Sequence, residues 1–386
     1  MPDAKITEGQ LMALGCCYLL GTMVISSFIT SAAGRDAWLM GLWGLAVFVP
    51  TLLCWLGLIR RHPRLGLFDI FDAVLGPLWG RVLSSLYLLF FVVLCALNIQ
   101  EATGFMHFGI MPETPLLALA ALFMAVGVYG ARKGLAPMAR LAAAFCAVAC
   151  VGLMINLLSS LSHADFNHLL PVLDGPALGY LQAGHIAATI PYGEGLVLLM
   201  LLPRLESDAR PGRALAGVAV FTSVVITLVH LREAVTLGPL AGYAAQPSFE
   251  AVRMIGHQGA LTRTESLFAL LLVTLTFFKT LILFYICLIS IKHIFRLGSA
   301  RPLAVPLALL LTLAAVRMCG SQSDAALFGK NNAPFIWSVF TLVLPALALC
   351  SLLVLLRLAK GAPPLLSLGG LGRLMESLGL SYNLWQ

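Results

Sequence analysis

The chain has 386 residues, of which 60% are hydrophobic and 11% are charged, whereas a soluble domain carries about 25% charged residues. This composition excludes an ordinary soluble protein and indicates one that crosses a membrane several times. The net charge of +7 does not indicate nucleic-acid binding, because the basic residues are spread over short loops. We expect the first apolar run to be a membrane span rather than a cleaved signal, since it is too long and follows Asp3 and Glu8.

The apolar runs predict an all-α polytopic membrane protein with about ten transmembrane helices, since one span takes about 20 residues. The segments 61–80 and 239–262 are long enough to hold short amphipathic helices on the membrane surface. We predict a single transmembrane domain over 1–360, with halves at roughly 9–160 and 180–358, and a tail over 361–386. The predicted spans are 9–33, 37–59, 81–109, 115–130, 135–160, 180–202, 213–236, 264–293, 303–319 and 334–357.

The distribution of basic residues predicts the orientation of the chain. Most of the 24 Lys and Arg residues fall in the segments that are cytoplasmic if the N-terminus is inside. Because cytoplasmic loops carry an excess of Lys and Arg, both termini and the tail are expected in the cytoplasm.

Two of the apolar runs are interrupted in mid-membrane at matching places. Lipid cannot satisfy the backbone groups that a helix break leaves unpaired, so such breaks survive where they line a cavity. We therefore predict a ligand site between the breaks. Its candidate residues are Gly21, Thr22, Met23, Val24, Ile25 and Ser26 in the first run, and Pro191, Tyr192, Gly193, Glu194 and Gly195 in the sixth.

The position of the breaks also predicts the architecture. Five spans precede the loop at 161–179 and five follow it, and an odd number of helices in each half makes the two halves inverted. The breaks then fall in the first helix of each half. By analogy at the level of the fold, this is the LeuT-like 5+5 inverted repeat with broken helices 1 and 6, found in the amino acid–polyamine–organocation superfamily.

Charged residues inside the spans are the remaining site candidates, because they are costly in a bilayer. Glu194 either binds a ligand amine or a coupling proton, or is a structural carboxylate satisfied by freed amides and a basic partner. Lys279 either stands as a cation where related transporters hold sodium, or forms a buried ion pair with Glu101 or Glu194. Glu101 either walls the pocket or reaches outer water. We interpret Arg232 and Glu233 as a membrane-interface feature that forms no simple pair.

The sequence does not support an enzyme or a metalloprotein. It has no Gly-x-Ser-x-Gly elbow, no phosphate-binding loop ending in Gly-Lys-Ser/Thr, and no His-x-x-x-His pair with an acid. Cys146 and Cys150 share a helix face, but two thiols without a His or acid neighbour make a poor metal site. We therefore expect no catalytic residue, no metal and no cofactor.

From Ile6 to about Leu358 the chain resembles the membrane-embedded, amino-acid-permease-like B subunit of bacterial spore germinant receptors. The resemblance is carried by short motifs in order along the chain. They are Ala33-Gly34-Arg35-Asp36-Ala37-Trp38, Met111-Pro112-Glu113-Thr114-Pro115-Leu116, Arg132-Lys133-Gly134-Leu135, Leu169-Leu170-Pro171-Val172-Leu173, Pro191-Tyr192-Gly193-Glu194, Leu201-Leu202-Pro203-Arg204-Leu205, Leu237-Gly238-Pro239, Phe249-Glu250-Ala251-Val252-Arg253, Arg263-Thr264-Glu265-Ser266-Leu267-Phe268, and Lys279.

The resemblance implies recognition of a small germinant, often an amino acid, in a complex with an A-type membrane subunit and a C-type lipoprotein subunit. It implies a location in the spore inner membrane and a role in triggering germination. The chain departs from the family pattern in having Tyr192 where Phe is expected, a longer tail after Lys360, and many Cys and Ala residues. A proton-coupled amino acid permease is the alternative function, because binding and coupling would use the same residues.

Overall fold

The structure is a computed structural model that describes residues 5–22, 27–244, 246–256, 264–318 and 322–361. Almost all of these residues are helical. In the first half the helices are α1 Glu8–Leu20, α2 Ser27–Ala33, α3 Met40–Arg61, α4 Leu67–Gly109, α5 Leu116–Lys133 and α6 Leu135–Ser160. In the second half they are α7 Ala177–Ala187, α8 Pro211–Leu237, α9 Pro247–Gly256, α10 Thr264–Ile294, α11 Ala304–Met318, α12 Gln322–Asn331, α13 Ala333–Ser338 and α14 Leu344–Gly361.

The prediction of about ten membrane segments is confirmed. Among the residues that the structure describes, nine helical stretches are long and apolar enough to cross a bilayer. Helix α1 is shorter, and together with α2 it forms the interrupted first segment. The predicted tail lies outside the described residues from position 362 onward.

Short helices occupy both of the long loops for which the sequence predicted them. In the first loop, Gly76 takes a φ of 80° and separates a short helix that begins at Leu67 from the long part of α4 that begins at Pro77. Glycine adopts this left-handed conformation without strain, and proline fits the first turn of a helix. In the second loop, α9 packs between α8 and α10.

The segment Ala177–Arg204 lies at the centre of the bundle, since 94% of the residues in its most apolar stretch are buried. Helix α10 is the next most buried segment, and it packs along α4 and against α1. At one end of the bundle the two interrupted segments are joined by backbone hydrogen bonds. The amide of Ile6 donates to the carbonyl of Arg204 at 2.9 Å, and the amide of Glu206 donates to the carbonyl of Ile6 at 3.1 Å.

Small residues allow the helices around this centre to approach closely, as in other membrane bundles. Helix α3 contacts α7 at Gly44, and a Cβ atom added there would overlap the Cβ of Ala187. Both atoms would be fixed to helix backbones, so only a shift of one helix could relieve the overlap. Gly127 on α5 is different, because an added Cβ would meet nothing closer than the flexible end of Met124, at 3.9 Å.

We predict that Gly44→Ala lowers the thermal unfolding temperature of the purified protein, because overpacking a tight contact costs about 1–3 kcal/mol. Gly127→Ala is the matched control, and it should leave the unfolding temperature unchanged or raise it, since Ala is the better helix former. Differential scanning fluorimetry in detergent measures both. Equal unfolding temperatures for the two variants would contradict this packing at Gly44.

Candidate functional site

The interruption of the sixth segment is a change of helical winding at the end of α7. The regular α-helix ends at Ala187 and is followed by a π-helical turn over Ala188–Tyr192 and a 3-10 helix over Gly193–Arg204. Pro191 has no amide hydrogen, which removes one α-helical hydrogen bond at this point. The hydroxyl of Thr189 donates to the carbonyl of His185 at 2.7 Å and satisfies one backbone group there. Such π turns inside helices are frequent at functional sites.

A buried ion pair joins the start of this 3-10 helix to α10. The ammonium of Lys279 lies 2.7 Å from Oε2 of Glu194, and the two side chains are 1% and 2% exposed. The indole nitrogen of Trp337 donates to Oε1 of the same carboxylate at 3.1 Å. The ammonium also donates to the hydroxyl of Thr22 at 3.3 Å and lies 5.7 Å from the ring centre of Tyr18.

These contacts bring together four separate parts of the chain. Glu194 comes from the sixth segment, Lys279 from α10, Thr22 from the end of α1 at the first interruption, and Trp337 from α13. Of the two partners that the sequence offered for Lys279, the structure selects Glu194. A charge left alone at such a depth is costly, so each member of the pair stabilises the other.

A cavity of about 50 Å³ lies beside the ion pair, and we call it the central cavity. One water molecule needs roughly 10–15 Å³, so the space is that of a few waters or of a very small organic molecule. Residues from α2, α4, the π turn, the 3-10 helix that follows it, α10, α12 and α13 surround it. They are Phe28, Leu94, Leu97, Asn98, Gln100, Glu101, Ile190, Glu194, Lys279, Phe328, Gly329, Ala333 and Trp337.

The charged groups of the central cavity are two carboxylates and one ammonium. Glu101 on α4 is half-buried there, and Glu194 supplies a second carboxylate, against the single ammonium of Lys279. The side-chain amide of Asn98 already has a hydrogen-bond partner, since it donates to the hydroxyl of Thr280 at 2.6 Å. When both carboxylates are ionised the cavity carries a net charge of −1, which suits a ligand with an ammonium group.

Several candidate residues from the sequence do not line the central cavity. Gly21 packs on α10, where an added Cβ would lie 2.8 Å from the carbonyl oxygen of Leu275. Tyr192 turns toward α3, and its hydroxyl donates to the carbonyl of Gly41 at 2.7 Å. Pro191, Gly193 and Gly195 are buried but are not among the lining residues. Met23, Val24, Ile25 and Ser26 lie outside the described residues.

Other residues of the site were not anticipated from the sequence. Trp337 lies near the start of the last span and would ordinarily be assigned to the membrane interface, yet it is 3% exposed and contacts Glu194. Phe28 on α2 packs against Gly329 on α12, where a side chain at position 329 would overlap its ring. This contact closes one side of the cavity. Of these residues, only Gly329 could have been noticed in the sequence, because a glycine leaves room for a neighbouring ring.

The prediction that Arg232 and Glu233 form no simple pair is wrong. Their side chains are 2% and 1% exposed, and they contact each other at 3.9 Å. The guanidinium donates to the side chain of Asn156 and to the carbonyl of Ser248, while the hydroxyl of Ser248 donates to Glu233. Helix α9 covers this end of α8 and makes the burial possible.

A buried cysteine links α1 to α6. The thiol of Cys17 donates to the carbonyl of Ala142 at 3.4 Å. Helix α1 thus packs on the cysteine-bearing face of α6. Among the described residues, no group of three or more His, Cys, Asp or Glu side chains is placed to hold a metal ion.

Comparison with known proteins places the chain in a family. The family model described as "Spore germination protein" matches residues 5–323. Spore germination protein KB of Bacillus subtilis (strain 168) is 26% identical over 362 residues, which cover 89% of this chain and 94% of the relative. Spore germination protein YndE of the same organism is 22% identical over 305 residues, covering 76% and 82%.

A solved structure supports the fold. The crystal structure of MhsT in complex with L-phenylalanine superposes with a TM-score of 0.66 at 17% identity, covering 89% of this chain and 87% of that one. At this identity the likeness shows the fold alone. It agrees with ten segments, of which the first and sixth are interrupted. The chain belongs to the spore germination protein family, whose permease-like members cross the membrane several times, and it has the LeuT fold.

Proposed function

We propose that the chain is the membrane subunit of a spore germinant receptor, and that it binds a small amino acid in the central cavity and triggers germination. The observation that carries this proposal is an acidic cavity of about 50 Å³ beside the Glu194–Lys279 pair, in a chain of the spore germination family. MhsT, which shares the fold, was crystallised in complex with L-phenylalanine, and this supports a ligand of the same class here.

Different groups of the cavity bind the ammonium and the carboxylate of the amino acid. Because Lys279 is paired with Glu194, the carboxylate of Glu101 is the group that binds the ligand ammonium. The ligand carboxylate lies near the backbone of the sixth segment, whose lining residues are Ile190 and Glu194. The small volume favours the smallest amino acids, since Phe28, Phe328 and Trp337 limit the space for a side chain.

The proposed signal is a change in the balance between conformations. A ligand shifts such a balance only by its differential affinity for the two states. Helix α2 is the element most directly affected, because Phe28 lines the cavity and Lys330 of α12 donates to the carbonyl of Ser31 on α2. In this proposal the receiving partners are an A-type membrane subunit and a C-type lipoprotein. The complex lies in the spore inner membrane, with both termini of this chain in the cytoplasm.

A proton-coupled amino acid permease is the second candidate function. The observation in its favour is the pair of carboxylates, Glu101 and Glu194, around one cavity, because a buried carboxylate can exchange a proton as the ligand binds or leaves. Both functions use the same binding step. They differ in whether the ligand crosses the membrane.

We predict that Glu101→Gln weakens amino acid binding by roughly tenfold or more, because a hydrogen bond to a charged group contributes about 1.5–3 kcal/mol. Equilibrium binding of radiolabelled amino acids to the purified chain measures the change. Glu113→Gln is the matched control, since Glu113 is exposed in the loop between α4 and α5 and should leave affinity unchanged. Unaltered affinity in Glu101→Gln would show that the ammonium binds elsewhere.

We predict that the chain alone, in proteoliposomes, binds its amino acid without accumulating it. The assay is counterflow and pH-gradient-driven uptake with a panel of labelled L-amino acids, compared with liposomes that contain the Glu101→Gln variant. Saturable accumulation by the wild type, lost in the variant, would establish the permease and contradict the receptor role. Failure to bind any member of the panel would remove the amino acid from the proposal.

A further inference from the structure

A second cavity lies away from the central one, in a crevice between α6 and α8. Its volume is about 210 Å³, and apolar side chains such as Leu153, Phe221, Val225 and Val229 form most of its walls. An engineered protein cavity of about 150 Å³ accommodates benzene, so this crevice has room for a substantial apolar group. We call it the α6–α8 crevice.

One end of the α6–α8 crevice is polar. Arg232 and Asn156 lie there, and the side chain of Arg232 is 2% exposed. The two terminal nitrogens of the guanidinium donate to Asn156 and to the carbonyl of Ser248. Its Nε hydrogen finds no acceptor among the described residues. A buried donor without a partner is unfavourable, so this group is placed to donate to an acceptor that enters the crevice.

The long axis of the crevice follows the helices. Arg232 and Asn156 lie close to the C-terminal ends of α8 and α6, whereas Phe221 lies about 16 Å deeper along α8 at 1.5 Å per residue. Met154 and Val224 line the crevice and are 49% and 50% exposed on the bundle surface. The crevice therefore opens sideways, where the bilayer lies in a membrane-spanning bundle. Its polar end is near the membrane surface and its apolar end is near the middle.

We infer that the α6–α8 crevice binds a long-chain carboxylate from the bilayer, with the alkyl chain between the helices and the carboxylate on Arg232. A single alkyl chain suits an apolar space of about 210 Å³, and a carboxylate is compact enough to reach a guanidinium that is almost fully buried. A helix of a partner protein does not suit it, because a helix with side chains is about 10–12 Å wide. The inference rests on the crevice and not on the proposed function.

A molecule bound in the crevice would contact Arg232, which belongs to a hydrogen-bonded cluster that includes a residue of α2. Arg232 is in contact with Glu233, and Glu233 accepts hydrogen bonds from Ser248 on α9 and from Thr30 on α2. Phe28 of the same short helix lines the central cavity. A carboxylate on Arg232 competes with Glu233 for the guanidinium. Occupancy of the crevice is thereby linked to the position of α2.

The test is photolabelling of the purified chain in nanodiscs with palmitic acid that carries a diazirine on its chain, followed by mass spectrometry of the labelled peptides. We expect labels between Cys150 and Leu157 and between Phe221 and Arg232. Val225→Phe fills part of the crevice, so that about two methylene groups of the palmitic acid chain can no longer be buried there. This should lower the labelling roughly tenfold. Val220→Phe is the matched control, since Val220 is 56% exposed on the same helix and does not line the crevice.

Two further probes separate the head group from the chain. The methyl ester of the same acid should label these peptides several-fold less, because it lacks the charge that Arg232 binds. Equal labelling by acid and ester would overturn the role of Arg232. Equal labelling of Val225→Phe and wild type would overturn the site itself. Labelling by a diazirine phosphatidylcholine but not by the acid would assign the crevice to a bilayer phospholipid and contradict the carboxylate.

Discussion

The structure depends on one buried ion pair, between Glu194 and Lys279. An ammonium and a carboxylate 2.7 Å apart, each almost fully buried, are stable in the interior of a membrane bundle only while both are present. Thr22 and Trp337 complete the hydrogen bonding of the pair. The first interruption, the sixth segment, α10 and α13 are thus held at one point. The central cavity lies beside that point.

The ion pair also decides the chemistry of the central cavity. Because Glu194 compensates Lys279, the proposed function assigns the ligand ammonium to the carboxylate of Glu101. The same geometry explains why the cavity is small. Phe28 closes one side by packing on Gly329, and α12 holds α2 in that position through the bond from Lys330 to the carbonyl of Ser31. The lining of the central cavity and the position of α2 are therefore linked through direct contacts.

Much of this arrangement could be predicted from sequence, and the reasons for the exceptions are physical. Apolar runs define the spans because the bilayer sets their length, and Gly and Pro mark the interruptions because they disturb helical hydrogen bonding. Glu194 and Lys279 stand out as charges in mid-membrane. The sequence does not indicate that Pro191 produces a change from α to π and 3-10 winding rather than an open gap. It also does not indicate which helix faces are covered. For that reason the burial of Arg232 under α9 and the contact of Trp337 with Glu194 were missed.

The most direct test of the account is a double-mutant cycle on the ion pair. The unfolding temperatures of Glu194→Gln, Lys279→Met and the double variant are measured in detergent with and without ligand. A buried pair that loses one partner is destabilised by about 3–5 kcal/mol, whereas removal of both charges costs less. We predict that each single variant unfolds well below the wild type and that the double variant recovers much of the loss. Additive effects of the two substitutions would show that Glu194 and Lys279 do not stabilise each other, and would contradict the account.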